Sequence, residues 1–187
     1  GSGDFDFSRN SAATRVNAQG LVENVQILSS NLVQNGDFSE EGSEEVSNGS
    51  FSQEGAQLVT NGSFNTDSDW TKGTGWIISG GTANCDGVSG ASPIYQNIGS
   101  ATIGKTYKIQ LDVSNYTSGT LVAAYGGTSA VGITSNGSYI FYVKATSTDA
   151  NTSYLSYNFI GSIDNVSVRE VGQDWIFSTG WSIGEDI

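Results

Sequence analysis

The chain has no histidine, no methionine, one proline and one cysteine in 187 residues. Without histidine there is no Ser/His/Asp triad, no Cys/His pair, no imidazole ligand for zinc and no side chain that ordinarily titrates near neutrality. That one absence weakens most enzyme classes. Cys85 has no second cysteine to pair with, so no internal disulfide staples the chain, and it reads as a small buried hydrophobe. Basic residues are scarce, 7 against 19 acidic ones, and a net charge of −12 opposes phosphate backbones and anionic lipid surfaces. Nucleic acid and membrane are therefore not expected as partners. No apolar run approaches the ~18 residues of a membrane span, and no charged-then-apolar leader is expected at the start.

Glycine, serine, threonine and asparagine take the place of the missing residues. Charged side chains make up 14% of the chain and glycines number 25. An average domain carries ~25% charged residues, so this composition predicts an all-β surface protein. From Thr106 to Val113, Tyr107, Ile109, Leu111 and Val113 share one face while Lys108, Gln110 and Asp112 share the other. That is a strand with one wet side. Similar alternation runs through 121–125, 139–145, 154–159 and 165–171, with turn material at 117–119, 136–137 and 161–162. About seven to nine short strands and no capped helical pattern predict an antiparallel β-sandwich or jelly roll.

Two repeats organise the chain. Asn35-Gly36-Asp37-Phe38, Asn48-Gly49-Ser50-Phe51 and Asn61-Gly62-Ser63-Phe64 recur every 13 residues, each with a valine two positions earlier (Val33, Val46, Val59). Asn-Gly marks turns and the flanking Val and Phe suggest short half-buried strands. The segment is either a duplicated surface linker or a small hairpin array packed on a neighbour. The second repeat is longer: Asp69-Trp70, Thr74-Gly75-Trp76 and Ile78 reappear as Asp174-Trp175, Thr179-Gly180-Trp181 and Ile183, displaced by 105 residues. The expected organisation is a flank over 1–30, the short repeats over 31–60, a sandwich over 61–171 and the start of a further copy over 172–187. Trp175 and Trp181 cannot bury themselves in so short a stretch, so they are expected to pack against this unit or another chain. In the flank, Phe5 and Phe7 alternate with Asp4 and Asp6, and the stretch through Arg9, Arg15 and Gly20 to Leu21 suggests two short strands around a basic turn.

Four motifs in order carry a resemblance: Asn61-Gly62-Ser63-Phe64 shortly before Trp70, Tyr95-Gln96-Asn97-Ile98, Gly104-Lys105-Thr106-Tyr107 opening the amphipathic strand, and Gly161-Ser162-Ile163-Asp164-Asn165-Val166-Ser167-Val168. Over residues 58–171 the chain resembles the jelly-roll, galactose-binding-like carbohydrate-binding modules. The resemblance implies a non-catalytic domain that binds polysaccharide or cell-surface glycan. It also implies a structural calcium ion between the Asn-Gly-x-Phe turn and the acidic residue of the last strand, here Asn61, Asn65 and Asp164. Asn65 stands where that family usually has glutamate. Residues 7–23 are similar to segments of bacteriophage tail and fibre proteins. Together these likenesses imply an extracellular virion surface protein that attaches to host or environmental polysaccharide, with a homo-oligomer such as a trimer built through the flanks. The competing reading is a structural virion spacer or subunit-contact domain with no sugar ligand.

Sugar rings offer apolar C–H faces and hydroxyl rims, so such a site needs aromatic platforms and amide or hydroxyl side chains. Trp70, Trp76, Tyr95, Tyr116, Tyr125, Tyr142 and Tyr157 are candidate platforms, each with core packing as the alternative. Trp76, followed by Ile77-Ile78, reads as core, whereas Trp70, in the polar stretch 65–69, reads as exposed. Asn115-Tyr116, between a strand and a Thr-Ser-Gly turn, fits a functional loop at a sandwich end. The expected glycan site is Trp70, Tyr116, Tyr95 and Tyr125 assisted by Gln96 and Asn115. Asp67, Asp69 and Asp112 invite a glycosidase reading, but nothing apolar around Asp67 and Asp69 would separate an acid from a base. The cluster Glu40, Glu41, Glu44, Glu45 and Glu54 reads as a solvated linker face, with attraction of divalent cations as the alternative. Six Asn-x-Ser/Thr sequons follow from composition.

Overall fold

The structure, a computed structural model, describes residues 14–24, 43, 45–50, 53–175, 180, 181 and 183. Two compact units are present, Gly1–Glu45 and Val46–Ile187. The first contains an antiparallel hairpin of β1 (Thr14–Val16) and β2 (Val22–Asn24). Its turn is built by Asn17, whose Oδ1 accepts the backbone N–H groups of Gln19 and Leu21, both at 3.0 Å. An Asx side chain closes this turn, and Arg15 sits on β1 rather than in a basic turn. Phe5, Phe7 and Arg9 lie outside the described residues.

The second unit is all-β and antiparallel, with no helix among the described residues. Its strands are β3 (Thr71–Lys72), β4 (Trp76–Ser79), β5 (Thr82–Asp86), β6 (Ala91–Asn97), β7 (Thr106–Tyr125), β8 (Thr128–Ser129), β9 (Gly137–Lys144) and β10 (Asn151–Val171). β10 is the spine. β7 pairs along one of its sides; β6 and then β5 pair along the other. β9 extends the first half of β7, and β3 and β4 lie outside β6 and β5.

β7 and β10 run for 20 and 21 residues, so the turns expected at 117–119 and 161–162 are bends within strands. Asn115, Asn158 and Asn165 take left-handed φ values of 53°, 55° and 50°, and the ladder slips between Tyr157 and Ser162 and again between Asp164 and Ser167. Asparagine tolerates that region better than other side chains, and each slip adds bend and twist. The ribbon thereby passes from one layer of a nearly barrel-like jelly-roll sandwich into the other. Gly119, at φ +80°, is required: a Cβ there would stand 2.1 Å from the Asn158 carbonyl oxygen.

Inward-facing residues of both halves fill one core. Ile109, Leu111 and Val113 come from the first half of β7, Leu121 and Ala123 from the second, and Ile94, Tyr154, Ile163 and Val168 from β6 and β10. Each large apolar side chain so enclosed contributes about 1.5–3 kcal/mol. Trp76 is core as expected, stacked on Phe159 at 6.2 Å. Cys85 is buried too, its thiol donating to Ser156 Oγ at 3.4 Å.

The 13-residue repeats form turns rather than strands. Asn48 and Asn61 are both left-handed, and Val59 and Phe64 insert into the core on either side of the Asn61 turn. The Asn35 copy and Phe51 lie outside the described residues. After the turn at 48, residues 54–58 run beside the end of β10, with Gly55 N donating to Glu170 O at 2.8 Å and Leu58 N to Val168 O at 3.0 Å. Glu54 is exposed as expected, but on a segment bridged to Val171 rather than on a linker. It pairs with Lys108 at 2.7 Å and Arg169 at 3.7 Å. Glu45 is exposed, and Glu40, Glu41 and Glu44 lie outside the described residues. Of the two C-terminal tryptophans, Trp175 is half-buried and Trp181 is 73% exposed.

Candidate ligand-binding face

Three of the six side chains expected to touch ligand, Trp70, Gln96 and Tyr125, are in the interior. Trp70 is 7% exposed: its Nε1 donates to Asn61 O at 3.0 Å and its ring packs on Phe64 at 5.1 Å and Tyr154 at 6.0 Å. The stretch before it is polar, but the turn carbonyl draws the indole inward, so it has no face to offer a sugar. Gln96 is 6% exposed and its amide is fully used, accepting from Thr60 N and donating to Thr60 O and Asp69 O at 2.8–3.0 Å. Tyr125 is 2% exposed, with its hydroxyl on Gly99 O at 2.8 Å. With Tyr107, Leu58, Ile98 and Gln173 it lines a cavity of about 330 Å³. Asn115 and Tyr116 brace the bend of β7 instead of forming an end loop. Asn115 Nδ2 donates to Ser162 Oγ at 3.2 Å, and the Tyr116 hydroxyl to Gly119 O at 3.0 Å.

Of the candidate rings, Tyr157 and Tyr142 are at the surface of a sheet, and so is Tyr95. It faces Thr71 on β3 and Ser153 on β10, and Ser153 faces Ala124 on β7. One step along the same face, Pro93, Leu155 and Val122 are aligned; one step further come Ala91, Tyr157 and Thr120. Beneath them Ser92, Ile94, Gln96, Thr152, Tyr154 and Ser156 are buried, so the alternation places this whole set on the water side. Pro93, Tyr95, Leu155 and Val122 are half-buried there, and Tyr157 is 45% exposed. Tyr95 and Tyr157 stand roughly 14 Å apart from strand geometry, further than one sugar ring reaches.

Two properties set this face apart. Its outward positions on β6, on residues 151–157 and on residues 120–124 are Ala, Pro, Tyr, Asn, Ser, Leu, Thr and Val, with no charge, in a chain whose net charge is −12. The Tyr95 and Tyr157 hydroxyls, like that of Tyr142 on β9, are also without a protein partner among the described residues, whereas the hydroxyls of Tyr107, Tyr116, Tyr125 and Tyr139 are all hydrogen-bonded; only on this face do two such phenols stand among uncharged neighbours. An apolar floor with free phenols and a rim of Thr71, Thr120, Ser153 and Asn151 suits a neutral, hydroxyl-rich ligand.

The carboxylates are otherwise engaged. Asp67 is bonded by Lys72, Asp69 accepts from Ser68 Oγ at 2.6 Å, and Asp112 accepts from Asn165 Nδ2 at 2.7 Å. Asp112 faces Asp164 across β7 and β10, and Asn165 serves both, since its backbone N–H donates to Asp164 Oδ1 at 2.7 Å. The calcium arrangement is present in its neighbours but not in its donors. Val166 N donates to Gly62 O at 2.9 Å, so the Asn61 turn lies against the Asp164 segment. The Asn61 amide nitrogen, however, donates to Thr66 O at 2.7 Å and Ser68 O at 3.1 Å, and Asn65 Nδ2 donates to Ser63 Oγ at 2.8 Å. N–H groups thus hold the oxygens that a cation would gather. Among the described residues no three acidic or thiol side chains converge either. Calcium takes about six to eight oxygens, and this donor set does not fit it.

No protein-family model and no curated protein matches the sequence. Among solved structures the chain is similar to the enzymatically active domain of bacteriophage CBA120 tailspike protein 4, with TM-score 0.40 and 15% identity over 61% of this chain and 21% of that one. It is similar to a family 35 carbohydrate-binding module from Paenibacillus barcinonensis, with TM-score 0.39 and 15% identity over 60% and 95%. A variant of a family 29 carbohydrate-binding module gives TM-score 0.40 and 15% identity over 65% and 95%. The chain spans about a fifth of the tailspike domain's length. These likenesses are of the β-rich fold.

Proposed function

We propose that the second unit is a non-catalytic glycan-binding module that lays a neutral polysaccharide across the face between Tyr95 and Tyr157. The observation that carries the reading is the uncharged face itself: two phenol rings with free hydroxyls, set on Pro93, Leu155 and Val122 and rimmed by hydroxyl and amide side chains. Rings stack on the C–H faces of sugars while the free hydroxyls and the rim hold the sugar hydroxyls, and no ion pair is needed. The separation of the two rings favours a chain of several sugars over a single residue. The resemblance of residues 7–23 to phage tail and fibre segments favours display on a virion surface, outside the cell, with oligomerisation through the flanks.

A glycan array carrying neutral, uronate-rich and sulfated chains tests the reading on the full chain. Retention of neutral chains only is expected. Retention of none would leave a structural spacer, and retention of acidic chains alone would place binding elsewhere on the molecule.

A further inference from the structure

Two tryptophans make the same bond to two copies of the same motif. Trp70 Nε1 donates to Asn61 O at 3.0 Å, and Trp175 Nε1 donates to Asn48 O at 3.1 Å. Asn48 and Asn61 open the repeated Asn-Gly-Ser-Phe segments, and Trp70 and Trp175 are the matching members of the 105-residue repeat, each after an aspartate. The turns agree in detail. Both asparagines have φ 52°, and each Oδ1 accepts the backbone N–H five residues on, Gln53 at 3.0 Å and Thr66 at 3.5 Å. The connectivity differs: nine residues separate Asn61 from its tryptophan, and 127 separate Asn48 from its own.

A short loop can force two groups together, but a separation of 127 residues cannot. The shared geometry therefore belongs to the turn. A left-handed asparagine whose side chain caps its own loop leaves its backbone carbonyl free to accept from an indole.

We propose that the Asn-Gly-Ser turn is a socket for the Asp-Trp segment that heads a unit, and that the copy at 48–50 receives such a segment independently of chain connectivity. In this molecule the occupant is Gln173 to Trp175, so the segment that precedes the sandwich is tied to the one that follows it. The repeats thereby become connectors between the ends of units instead of linker. The second socket is the looser of the two. Asn48 Nδ2 is buried without an acceptor, whereas Asn61 Nδ2 donates to Thr66 O and Ser68 O, and Gln173 Oε1 on the bound segment is likewise unsatisfied. Missing bonds of this kind make the 48–175 contact the one that opens first, as exchange between neighbouring copies requires.

Indole N–H exchange on the ¹⁵N-labelled full chain tests the socket. The Trp175 signal should exchange at least tenfold more slowly than that of exposed Trp181. Asn48→Val, which disfavours positive φ, should remove that protection while the Trp70 signal, the internal check on folding, keeps its own. Asn48→Gly should retain it, because the acceptor is the backbone carbonyl. In the Trp175→Ala chain, a synthetic peptide of residues 172–183 should shift the Gly49 and Ser50 amide signals, and the same peptide with phenylalanine at the tryptophan position should not. Trp175 exchanging as fast as Trp181, protection surviving Asn48→Val, or a peptide that shifts nothing would each overturn the proposal.

Discussion

Tyr107 and Tyr125 lie on one uninterrupted strand, eighteen residues apart, and their rings meet edge to face at 4.9 Å. A straight strand would hold them roughly 60 Å apart, so β7 must fold back across its own middle. Both hydroxyls then tie the end of the sandwich to the 99–102 loop, Tyr125 donating to Gly99 O and Tyr107 accepting from Thr102 N. The architecture rests on this return, and Gly119 is where it is tightest.

Gly119→Ala should therefore cost more than an ordinary left-handed glycine substitution. Gly80, at φ +64° with nothing near its missing Cβ, provides the comparison. Gly80→Ala should lose about 1–3 kcal/mol from backbone strain alone. Gly119→Ala bears that strain and a contact with the Asn158 carbonyl as well. Urea midpoints measure both, and equal losses would contradict the bend.

Alkaline pH should weaken the fold through its buried tyrosines. Burial first, then Tyr107 and Asp149, pushes the Tyr125 hydroxyl from 10.0 up to about 12, and burial raises Tyr154 as well. The folded state therefore favours the neutral phenol. The resulting stability is fully present below pH 10 and is lost as pH rises toward 12. Denaturant midpoints should stay level from about pH 7 to 9 and fall beyond 10. Tyr125→Phe should flatten part of that fall, and an unchanged alkaline slope in the variant would refute the assignment.

Trp70 and Tyr157 should respond oppositely to truncation. Trp70→Ala removes a core ring and its bond to Asn61 O, and should cost about 3–5 kcal/mol. Tyr157→Ala, at a 45% exposed position, should change the melting midpoint little. Thermal melts of the two variants decide. A stable Trp70→Ala chain would restore that ring as a surface candidate.

Chelation should leave the protein unmoved. Because N–H groups already hold the Thr66 and Ser68 carbonyls, melting midpoints with excess chelator and with added calcium should coincide. A midpoint that rises with calcium would show that the Asn61 loop rearranges to bind it.

What the sequence made legible follows from where alternation obeys the apolar-in rule. From Thr106 to Val113 it does, and the inward face, the β class and the core position of Trp76 were readable. In 152–157 it is inverted: Thr152 and Ser156 face in while Leu155 and Tyr157 face out, so the sequence offers Tyr95 and Tyr157 as single candidate platforms but not the face that joins them. Left-handed Asn115 and Gly119 give the bend of β7 the signature of the turn expected at 117–119, because bend and turn need the same backbone region, while at 161–162 the left-handed residues are the flanking Asn158 and Asn165 and not Gly161. Trp70 and Gln96 were misplaced for a different reason. Their burial depends on bonds to Asn61, Thr60 and Asp69, which local polarity does not report.

Binding of neutral glycan to the face between Tyr95 and Tyr157 is read out by isothermal titration of the full chain with an array-positive polysaccharide. The wild type should bind with an affinity that changes little between low and moderate salt, since no charge lies on the face. Two exposed aromatic anchors can each be worth ~2 kcal/mol when truncated. Tyr95→Ala/Tyr157→Ala, shown by circular dichroism to be folded, should therefore bind at least tenfold more weakly. A folded double variant that binds like the wild type would remove the ligand from this face.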